Sequence, residues 1–465
     1  MAYIGKTPVI GNFVKLDSIT VVNGQAAYTM QNGGVNFTSY DNVNQFLVSL
    51  NGVLQAPTDS FTVSGSTLTF ASNLSTGDVI DFVMVLGNSL NVGTPSDNTI
   101  STAKLQDNAI TSAKLASGAV QNQSAFKNII INGDMSICQR ATSVANLGNS
   151  LAGYQVQDRW KLKEQGSESF EFTMSKDTDV PTGQGFASSL KLDCTTADNS
   201  IASSGSLRIQ QFVEGQNLQY LKKGTSSAES LTCSFWIKST KTGTYILELY
   251  DSDNTRQISK SYTVSASNTW EKKTITFDGD TSGAFNNDNA ASLELNFWLV
   301  AGSNYSSGTL NTSWNSVTAA NRAVGQVNIS DSTSNEWYIT GVQLEAGTSA
   351  SDFEFLPTDV NLQRCLRYYF ELGVSDSKLS NTGIAFNTGE FNTNLSYPVF
   401  MRATPTLTFY DNAGNSARVH RSGVGDHANA VSPVNYNEKK LATVSSTSLT
   451  SGGGYAFRLE GTAEL

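Results

Sequence analysis

Residues 293–300 read Leu-Glu-Leu-Asn-Phe-Trp-Leu-Val, so large apolar side chains alternate with a second series that includes Glu294, Asn296 and Trp298. Successive side chains of a β-strand point to opposite faces, so this stretch predicts a strand with one core face. Six further stretches of the same period are separated by loops rich in Gly, Ser, Asn and Asp: 207–213, 231–238, 245–250, 258–264, 270–277 and 337–344. Seven short strands at this spacing predict an antiparallel β-sandwich over residues 126–357.

The overall composition excludes several classes of protein. The chain has 465 residues, and its 30 Lys and Arg against 40 Asp and Glu give a net charge of −10. No basic surface is therefore expected, which argues against a nucleic-acid partner. No apolar run approaches the length of a membrane span, and the N-terminus lacks the apolar core of a signal peptide, so we expect no membrane insertion.

The four cysteines, Cys138, Cys194, Cys233 and Cys365, lie far apart and form no CxxC pair. Zinc ribbons and redox motifs are thereby excluded, and four buried free thiols are expected. Free thiols suit a protein made in a reducing cytoplasm.

The flanking regions are also rich in strand patterns. In residues 1–95, Asn51-Gly52 predicts a tight hairpin between strands 46–50 and 53–54, a second hairpin follows at 61–70, and 79–86 reads as a central strand. After Pro357, a helix is predicted with Asp359 as its N-cap and a buried stripe of Leu362, Cys365, Leu366 and Tyr369. Residues 358–465 then form a C-terminal β domain, with strands expected at 384–391, 395–400, 406–410 and 455–459.

A tandem repeat occupies residues 97–120, reading DNTISTAKLQ, DNAITSAKLA and SGAV. Its apolar residues recur every five positions, a spacing that fits neither a helix nor a strand: Ile100, Leu105, Ile110, Leu115 and Val120. One decad buries an Ile and a Leu, about 1.5–3 kcal/mol each, while ordering ten residues costs about 1–2 kcal/mol apiece. Residues 96–125 are therefore either a disordered linker or a shaft in which several chains share an apolar axis, and the regular repetition favours the shaft.

The outward series of the sandwich strands suggests a binding surface. If strands 231–238, 245–250 and 293–300 share a sheet, three aromatic side chains stand outside the core among carboxylates and an amide: Trp236, Tyr250, Trp298, Glu248, Glu294 and Asn296. Such a platform suits a sugar, whose C–H face stacks on aromatic rings while its hydroxyls bond to polar groups. The alternative is that another protomer or the C-terminal domain covers this face. Tyr305 and Trp314, in the long loop 302–326, favour anchoring of that loop over ligand contact.

The residues that could act in catalysis or bind a metal do not follow the spacings of known catalytic or metal-binding motifs. His420 and His427 match no standard ligand spacing and suit a solvated loop. Asp251 to Asn254 resembles the start of a calcium loop without its Gly and distal Glu, so a structural turn is favoured. The carboxylate pairs 251/253, 278/280 and 168/171 are typical of acidic turns. We therefore expect no enzyme activity, no cofactor and no metal.

Several blocks resemble a known family: NIIINGDMSICQR and GYQVQDRW (128–140, 153–160), SFWIKSTKTGTY (234–245), NTWEKKTITFDGD (268–280), YITGVQLEAGTSASDFEFLPTDVNLQRCLRYY (338–369), YPVFMRATPTLTFYD (397–411) and the final FRLEGTAEL. Together with the decads, they look like the tail fibre or receptor-binding fibre proteins of tailed phages, particularly marine ones. The resemblance implies a homotrimer, attached to a tail or capsid protein of the virion through residues 1–95, with a distal jelly roll similar to carbohydrate-binding modules. It also implies that Arg159, Trp160, Arg364, Tyr368 and Tyr369 are structural.

The expected function is that of a virion fibre, made in the host cytoplasm, which adheres to a host surface polysaccharide or lipopolysaccharide. A purely structural fibre or capsid decoration protein is the alternative. A polysaccharide depolymerase is less favoured, because the sequence shows no pattern that predicts a cluster of carboxylates in a groove.

Overall fold

The computed structural model of the chain describes residues 13–87, 126–149, 151–166, 168–373 and 381–465. The chain divides into two units, Met1–Ala116 and Ser117–Leu465. The decad repeat, with its predicted axis residues, lies outside the described residues. Within the described ranges, no helix is long and apolar enough to cross a membrane.

The first unit is built from short antiparallel strands: β1 (Phe13–Lys15), β2 (Gln25–Thr29), β3 (Gln31–Asn32), β4 (Val35–Asn36), β5 (Phe46–Leu50), β6 (Val53–Leu54), β7 (Phe61–Ser64), β8 (Thr67–Leu74) and β9 (Ile80–Leu86). Both predicted hairpins are confirmed, and β9 is central in the sheet β1-β9-β5-β6. Asn51 and Gly52 have φ of 52° and 78°, the left-handed values that a type I′ turn requires.

The second unit begins with a β-sandwich whose strands are β10 (Ser143–Gly148), β11 (Gly153–Tyr154), β12 (Lys161–Gln165), β13 (Glu171–Asp177), β14 (Ser189–Thr196), β15 (Ser206–Glu214), β16 (Leu231–Ser239), β17 (Gly243–Asp251), β18 (Arg256–Val264), β19 (Glu271–Phe277), β20 (Ala291–Ala301), β21 (Asn315–Ser316) and β22 (Glu336–Ala346). A six-stranded sheet has the order β10-β13-β14-β22-β16-β19, and a seven-stranded sheet the order β11-β12-β15-β20-β17-β18-β21. All seven predicted sandwich strands are confirmed, and their apolar series form the core between the sheets.

The strands that the sequence pattern does not reveal are β10 to β14. In β12, which reads Lys-Leu-Lys-Glu-Gln, only Leu162 is apolar, and its side chain is buried in the core. A short strand with a single inward apolar residue shows too little alternation to be recognised. A short helix, α1 (Ser303–Ser306), lies in the loop after β20.

The remainder comprises α2 (Thr358–Leu366), β23 (Tyr369–Leu372), β24 (Asn381–Ala385), β25 (Glu390–Ser396), β26 (Thr406–Tyr410), β27 (His420–Arg421), β28 (Gly425–Asp426), β29 (Val431–Tyr436), β30 (Lys440–Ser446) and β31 (Gly454–Thr462). These strands form one antiparallel sheet system with its own core. The all-β fold class is thus confirmed, with one helix of more than a turn in the described ranges.

Three details of this region differ from the sequence prediction. The expected strand 384–391 is a hairpin, because the Asn387 side chain accepts hydrogen bonds from the backbone N–H groups of Gly389 (2.6 Å) and Glu390 (2.7 Å) and so closes a turn. The expected strand 395–400 stops at Ser396, two residues before Pro398, which has no N–H to donate. The helix is capped by Pro357, so Asp359 lies in the first turn, and Tyr369 already belongs to β23.

All four cysteines are free thiols, as predicted, although Cys138 is only partly buried. Burial raises the pKa of the Cys138 thiol to about 12, so this sulfur is protonated at neutral pH.

A buried cluster joins the sandwich to the C-terminal β domain and consists of Arg159, Tyr368 and Glu464. The Arg159 guanidinium is ion-paired with Glu464, lies 3.5 Å from the centre of the Tyr368 ring, and donates to the Phe212 carbonyl at 2.8 Å. Arg159 also has a left-handed backbone, with φ of 72°, a conformation that costs about 1–3 kcal/mol unless surrounding contacts impose it. These contacts bear out the structural role predicted for Arg159 and Tyr368.

Replacing Arg159 by Ala is expected to lower the free energy of unfolding of the second unit by about 1–3 kcal/mol, because the buried Phe212 carbonyl loses its donor and Glu464 keeps only Arg140 as an ion-pair partner. Urea unfolding followed by tryptophan fluorescence measures this change. Arg418→Ala is the matched control, since Arg418 is exposed and should leave the unfolding midpoint unchanged. Equal midpoints for both variants would contradict the structural role of the cluster.

Candidate functional site

The six predicted site residues do not form one platform. Trp236 belongs to β16 in the six-stranded sheet, whereas the other five lie on β17 and β20 in the seven-stranded sheet: Glu248, Tyr250, Glu294, Asn296 and Trp298. The premise that the three strands share a sheet is therefore wrong. Strand β16 pairs with β19 and β22, and the chain crosses to the other layer before β17 begins. The outer faces of two packed sheets point in opposite directions, so Trp236 cannot meet the others.

On the seven-stranded sheet, Trp298 is fully buried rather than exposed. Its cover is the chain's own loop 302–326, which includes Tyr305, Leu310 and Ala323. The ring centres of Tyr305 and Trp298 are 5.3 Å apart. Neither a second protomer nor the C-terminal domain is needed to cover this residue, and the anchoring role predicted for Tyr305 is confirmed. Trp314 also anchors the loop, because its indole N–H donates to the Asp278 carbonyl at 2.7 Å.

The carboxylate of Glu248 is engaged by hydrogen bonds from within the chain. Arg322 donates to it twice, at 2.7 and 2.9 Å, the Trp298 indole donates at 3.0 Å, and the Asn296 amide donates at 3.3 Å. Burial by itself would lower the pKa of the Arg322 guanidinium. The charge and hydrogen bonds of Glu248 have the larger effect, so the pKa is raised. One of these bonds goes to Oε1 and three go to Oε2, so the buried carboxylate is engaged by the chain's own donors and holds the loop against the sheet.

The accessible part of this face is a row formed by Phe212, Glu294 and Tyr250. These residues are cross-strand neighbours on β15, β20 and β17, and each is partly exposed. Burial raises the pKa of Glu294, which accepts a hydrogen bond from the Ser252 hydroxyl at 3.0 Å. The Lys161 ammonium lies 4.9 Å from the centre of the Phe212 ring. Two aromatic rings thus flank a carboxylate on this surface.

Trp236 lines a cavity of about 310 Å³ on the outer face of the six-stranded sheet, named here the Trp236 pocket. Three phenylalanines build its apolar wall, with ring centres 4.9–5.1 Å apart: Phe186, Phe353 and Phe355. Gly341, at φ of 64°, leaves room for this wall, since a Cβ atom there would approach Phe186 to 2.5 Å. Polar residues complete the lining: Gln184, Ser234, Lys272 and Asp352.

Several donors in the Trp236 pocket have no partner within the described ranges. They are the indole N–H of Trp236, the ammonium of Lys272 and the side-chain amide of Gln184. Lys272 lies directly opposite Trp236 in the strand register, so both side chains project from the same face of the sheet. The pocket therefore combines a half-buried aromatic face with donors that are free to bond to hydroxyl groups.

The sequence pattern predicts Trp236 as a binding residue, but it does not predict the residues that surround it. Phe353 and Phe355 alternate in the segment Ser-Asp-Phe-Glu-Phe, so they share one side of an extended chain, and this was the available signal. Phe186 and Gln184 lie in the loop before β14 and show no pattern. Their approach to Trp236 is set only by the fold.

The candidate metal and carboxylate sites have structural partners. His420 bonds to Asp426 at 2.7 Å, whereas His427 bonds to the Thr447 carbonyl at 3.0 Å. Asp251 accepts from the backbone N–H groups of Asp253 and Asn254, as expected of a turn. No group of three or more His, Cys, Asp or Glu side chains in the described part of the chain is arranged to hold a metal ion.

The ammonium of Lys223 occupies the position where a cation would be needed. It lies 2.5 Å from Asp251 and 3.0 Å from Asp280. The acidic turns at 251–254 and 278–280 are therefore neutralised by the chain itself.

No family model matches the chain, and no curated protein matches it. Solved structures similar to it include the enzymatically active domain of tailspike protein 4 of bacteriophage CBA120, with 16% identity, 48% of this chain and 22% of that chain covered, and a TM-score of 0.25. They also include a family 11 carbohydrate-binding module of Clostridium thermocellum with a bound mixed-linked tetrasaccharide (12% identity, 45% and 99% covered, TM-score 0.23). A third is TmCBM61 in complex with β-1,4-galactotriose, with 11% identity, 40% of this chain and 88% of that chain covered, and a TM-score of 0.22. The chain spans about a fifth of the tailspike domain that it matches, and at these TM-scores the likenesses establish no shared function.

Trp298→Ala is expected to lower the free energy of unfolding by about 3–5 kcal/mol, because it removes a fully buried indole and leaves a cavity. Tyr250→Ala, on the same face but partly exposed, should cost less than half of that. Thermal unfolding of the two variants measures the difference. If Trp298→Ala unfolds at the wild-type temperature, loop 302–326 does not seal this residue in solution.

Proposed function

We propose that the chain is a phage fibre protein that binds a host cell-surface glycan through the Trp236 pocket, without cleaving it. The observation that carries the proposal is the pocket itself, whose lining combines a half-buried indole ring with an ammonium and an amide that have no partner among the described residues. A sugar ring has an apolar C–H face and a polar rim, and both are matched there. The sequence blocks that resemble tailed-phage fibres support the biological setting.

Binding follows from the groups in the pocket. The sugar's C–H face stacks on Trp236 against the phenylalanine wall and displaces water from apolar surface. The indole N–H and the donors of Lys272 and Gln184 then bond to ring hydroxyls and fix the orientation. An open pocket of this size gives a weak single contact, and copies of the site on one fibre raise the overall avidity.

The roles of the two N-terminal segments follow the resemblance to phage fibres. Residues 1–95 attach the fibre to a tail or capsid protein of the virion, and the decads at 97–120 hold three chains together along an apolar axis. The mature protein is then found in the virion after synthesis in the host cytoplasm.

A purely structural fibre or decoration protein is the second candidate. It is favoured by the exposure of Phe355, which is 51% accessible at the mouth of the pocket and would be covered in a contact with another protein. The two candidates differ in whether the Trp236 pocket accepts a sugar.

Trp236→Ala is expected to weaken binding to the recognised glycan by about tenfold or more, since a loss of 1.4 kcal/mol of stacking free energy corresponds to that factor. Binding is measured on an array of bacterial capsular polysaccharides and lipopolysaccharides, and then by adsorption to cells that carry the positive glycan.

Trp270→Ala serves as the matched control, because Trp270 is a partly exposed indole near the same sheet edge whose N–H is bonded to Asp179. It should bind glycan as the wild type does. If the wild type and a folded Trp236→Ala variant bind the glycan equally well, the Trp236 pocket is not the receptor-binding site. Shortening of the bound polysaccharide during incubation would instead establish a depolymerase.

The oligomer is tested separately. Sedimentation equilibrium of the full chain is expected to give three times the 49.8 kDa mass of one chain. Ile110→Asp should reduce that mass, because a charge on the shared axis is desolvated without a partner. Thr111→Asp, the neighbouring position outside the apolar series, is the control. A monomeric wild-type chain would show that the decads are only a tether.

A further inference from the structure

A second, larger cavity of about 460 Å³ opens where α2 packs against the sandwich. It lies outside the Trp236 pocket and shares no lining residue with it. Its walls come from the segment before β10, the end of β15, the turns that follow β15 and the last turn of α2. Its lining includes Phe126, Asn128, Asn217, Tyr220, Arg364 and Arg367. We name it the Arg364 pocket.

Arg364 contributes a positive charge that has no counter-ion. One of its N–H groups donates to the Asn128 carbonyl at 3.3 Å. Among the described residues, no carboxylate oxygen lies within 4.0 Å of its guanidinium. Burial lowers the pKa of Arg364 from its ordinary value, and nearby groups that include Glu354 offset this shift only in part.

The other arginine of the pocket is already neutralised. Arg367 donates two hydrogen bonds to Glu214, at 2.9 and 2.7 Å, and Tyr368 donates to the same carboxylate. Glu354 lies near Arg364 without forming an ion pair with it, and accepts hydrogen bonds from the backbone N–H groups of Phe126 (2.5 Å) and Asn128 (2.9 Å). Among the described residues, Arg364 is therefore the arginine of this pocket without an ion pair, since the nearby Glu354 carboxylate is bonded to backbone N–H groups.

The remaining lining offers both an apolar face and free polar groups. Phe126 and Tyr220 are 60% and 51% exposed at the mouth, and Ile129 and Ile131 lie deeper. The Tyr220 hydroxyl and the Asn217 amide have no partner within the described ranges. The cavity volume is within the range of small-ligand sites, about 300–1,000 Å³.

We propose that the Arg364 pocket binds a carboxylate-bearing sugar residue, such as a uronic acid, as a second glycan site independent of the Trp236 pocket. The guanidinium pairs with the carboxylate through its two parallel N–H groups. The sugar's C–H face packs on Tyr220 and Phe126, and the Asn217 amide bonds to a hydroxyl.

The single positive charge of Arg364 matches a carboxylate better than a phosphate. A sugar carboxylate carries one negative charge, which the single unpaired guanidinium cancels. A phosphate monoester carries about −1.5 to −2 charges at neutral pH, so part of its charge would stay unpaired against the apolar wall. A neutral sugar would leave Arg364 desolvated without compensation.

The test uses α-1,4-linked trigalacturonate and the neutral α-1,4-linked galactotriose, which differ only in the carboxylates, together with galactose 6-phosphate. Binding to the full chain is measured by isothermal titration calorimetry and by saturation-transfer NMR. Trigalacturonate is expected to bind, with galactotriose at least about tenfold weaker, as the loss of charge-assisted hydrogen bonds predicts. Galactose 6-phosphate should also bind more weakly than trigalacturonate.

Arg364→Gln and Tyr220→Ala should each weaken trigalacturonate binding, and Tyr220 is exposed enough that its variant keeps the fold. Arg418→Gln, at an exposed arginine elsewhere, should bind as the wild type does. Equal binding of the acidic and neutral trisaccharides overturns the proposal. Undiminished binding by folded Tyr220→Ala and Arg364→Gln, or tighter binding of the phosphate, overturns it as well.

Discussion

The buried guanidinium of Arg159 is the constraint on which the second unit depends. A desolvated positive charge is tolerated only with an anion and hydrogen bonds around it, and these come from distant parts of the chain. The partner carboxylate, Glu464, is 305 positions away, and Tyr368 supplies the aromatic face above the cation. Satisfying one side chain therefore requires the sandwich, the helix and the last strand to meet at one point.

The same cluster determines the shape of the Arg364 pocket. Tyr368 stacks on Arg159 and also donates to Glu214 at the end of β15, so it fixes the final turn of α2 against the sandwich. Arg364 lies one turn earlier on this helix and is thereby held at the cavity wall. The chain thus uses buried ion pairs where it must close a junction, as Glu248 and Arg322 do under loop 302–326, and leaves a cation unpaired where a cavity stays open.

Period-two alternation predicted the strands of the sandwich because their inward residues fill a core that tolerates only apolar side chains. It did not predict which strands share a sheet, since alternation describes the two faces of one strand and not its neighbours. Trp236 and Trp298 have the same pattern in sequence, yet they lie on different sheets, one partly exposed and the other sealed by Tyr305. The burial of an outward residue depends on which loop crosses it, and no local signal encodes that.

By itself, the sequence determined seven strands of the sandwich with their core faces, the turn at Asn51-Gly52 and the position of the one substantial helix of the described ranges, because each depends on residues close together in the chain. Tertiary structure alone decided that the predicted platform divides between two sheets, that Phe186 and Phe353 meet beside Trp236, and that Arg364 faces a cavity without a counter-ion. These features depend on contacts between distant segments. They arise only when the whole unit has packed, because each is the product of a shared core rather than of a local pattern.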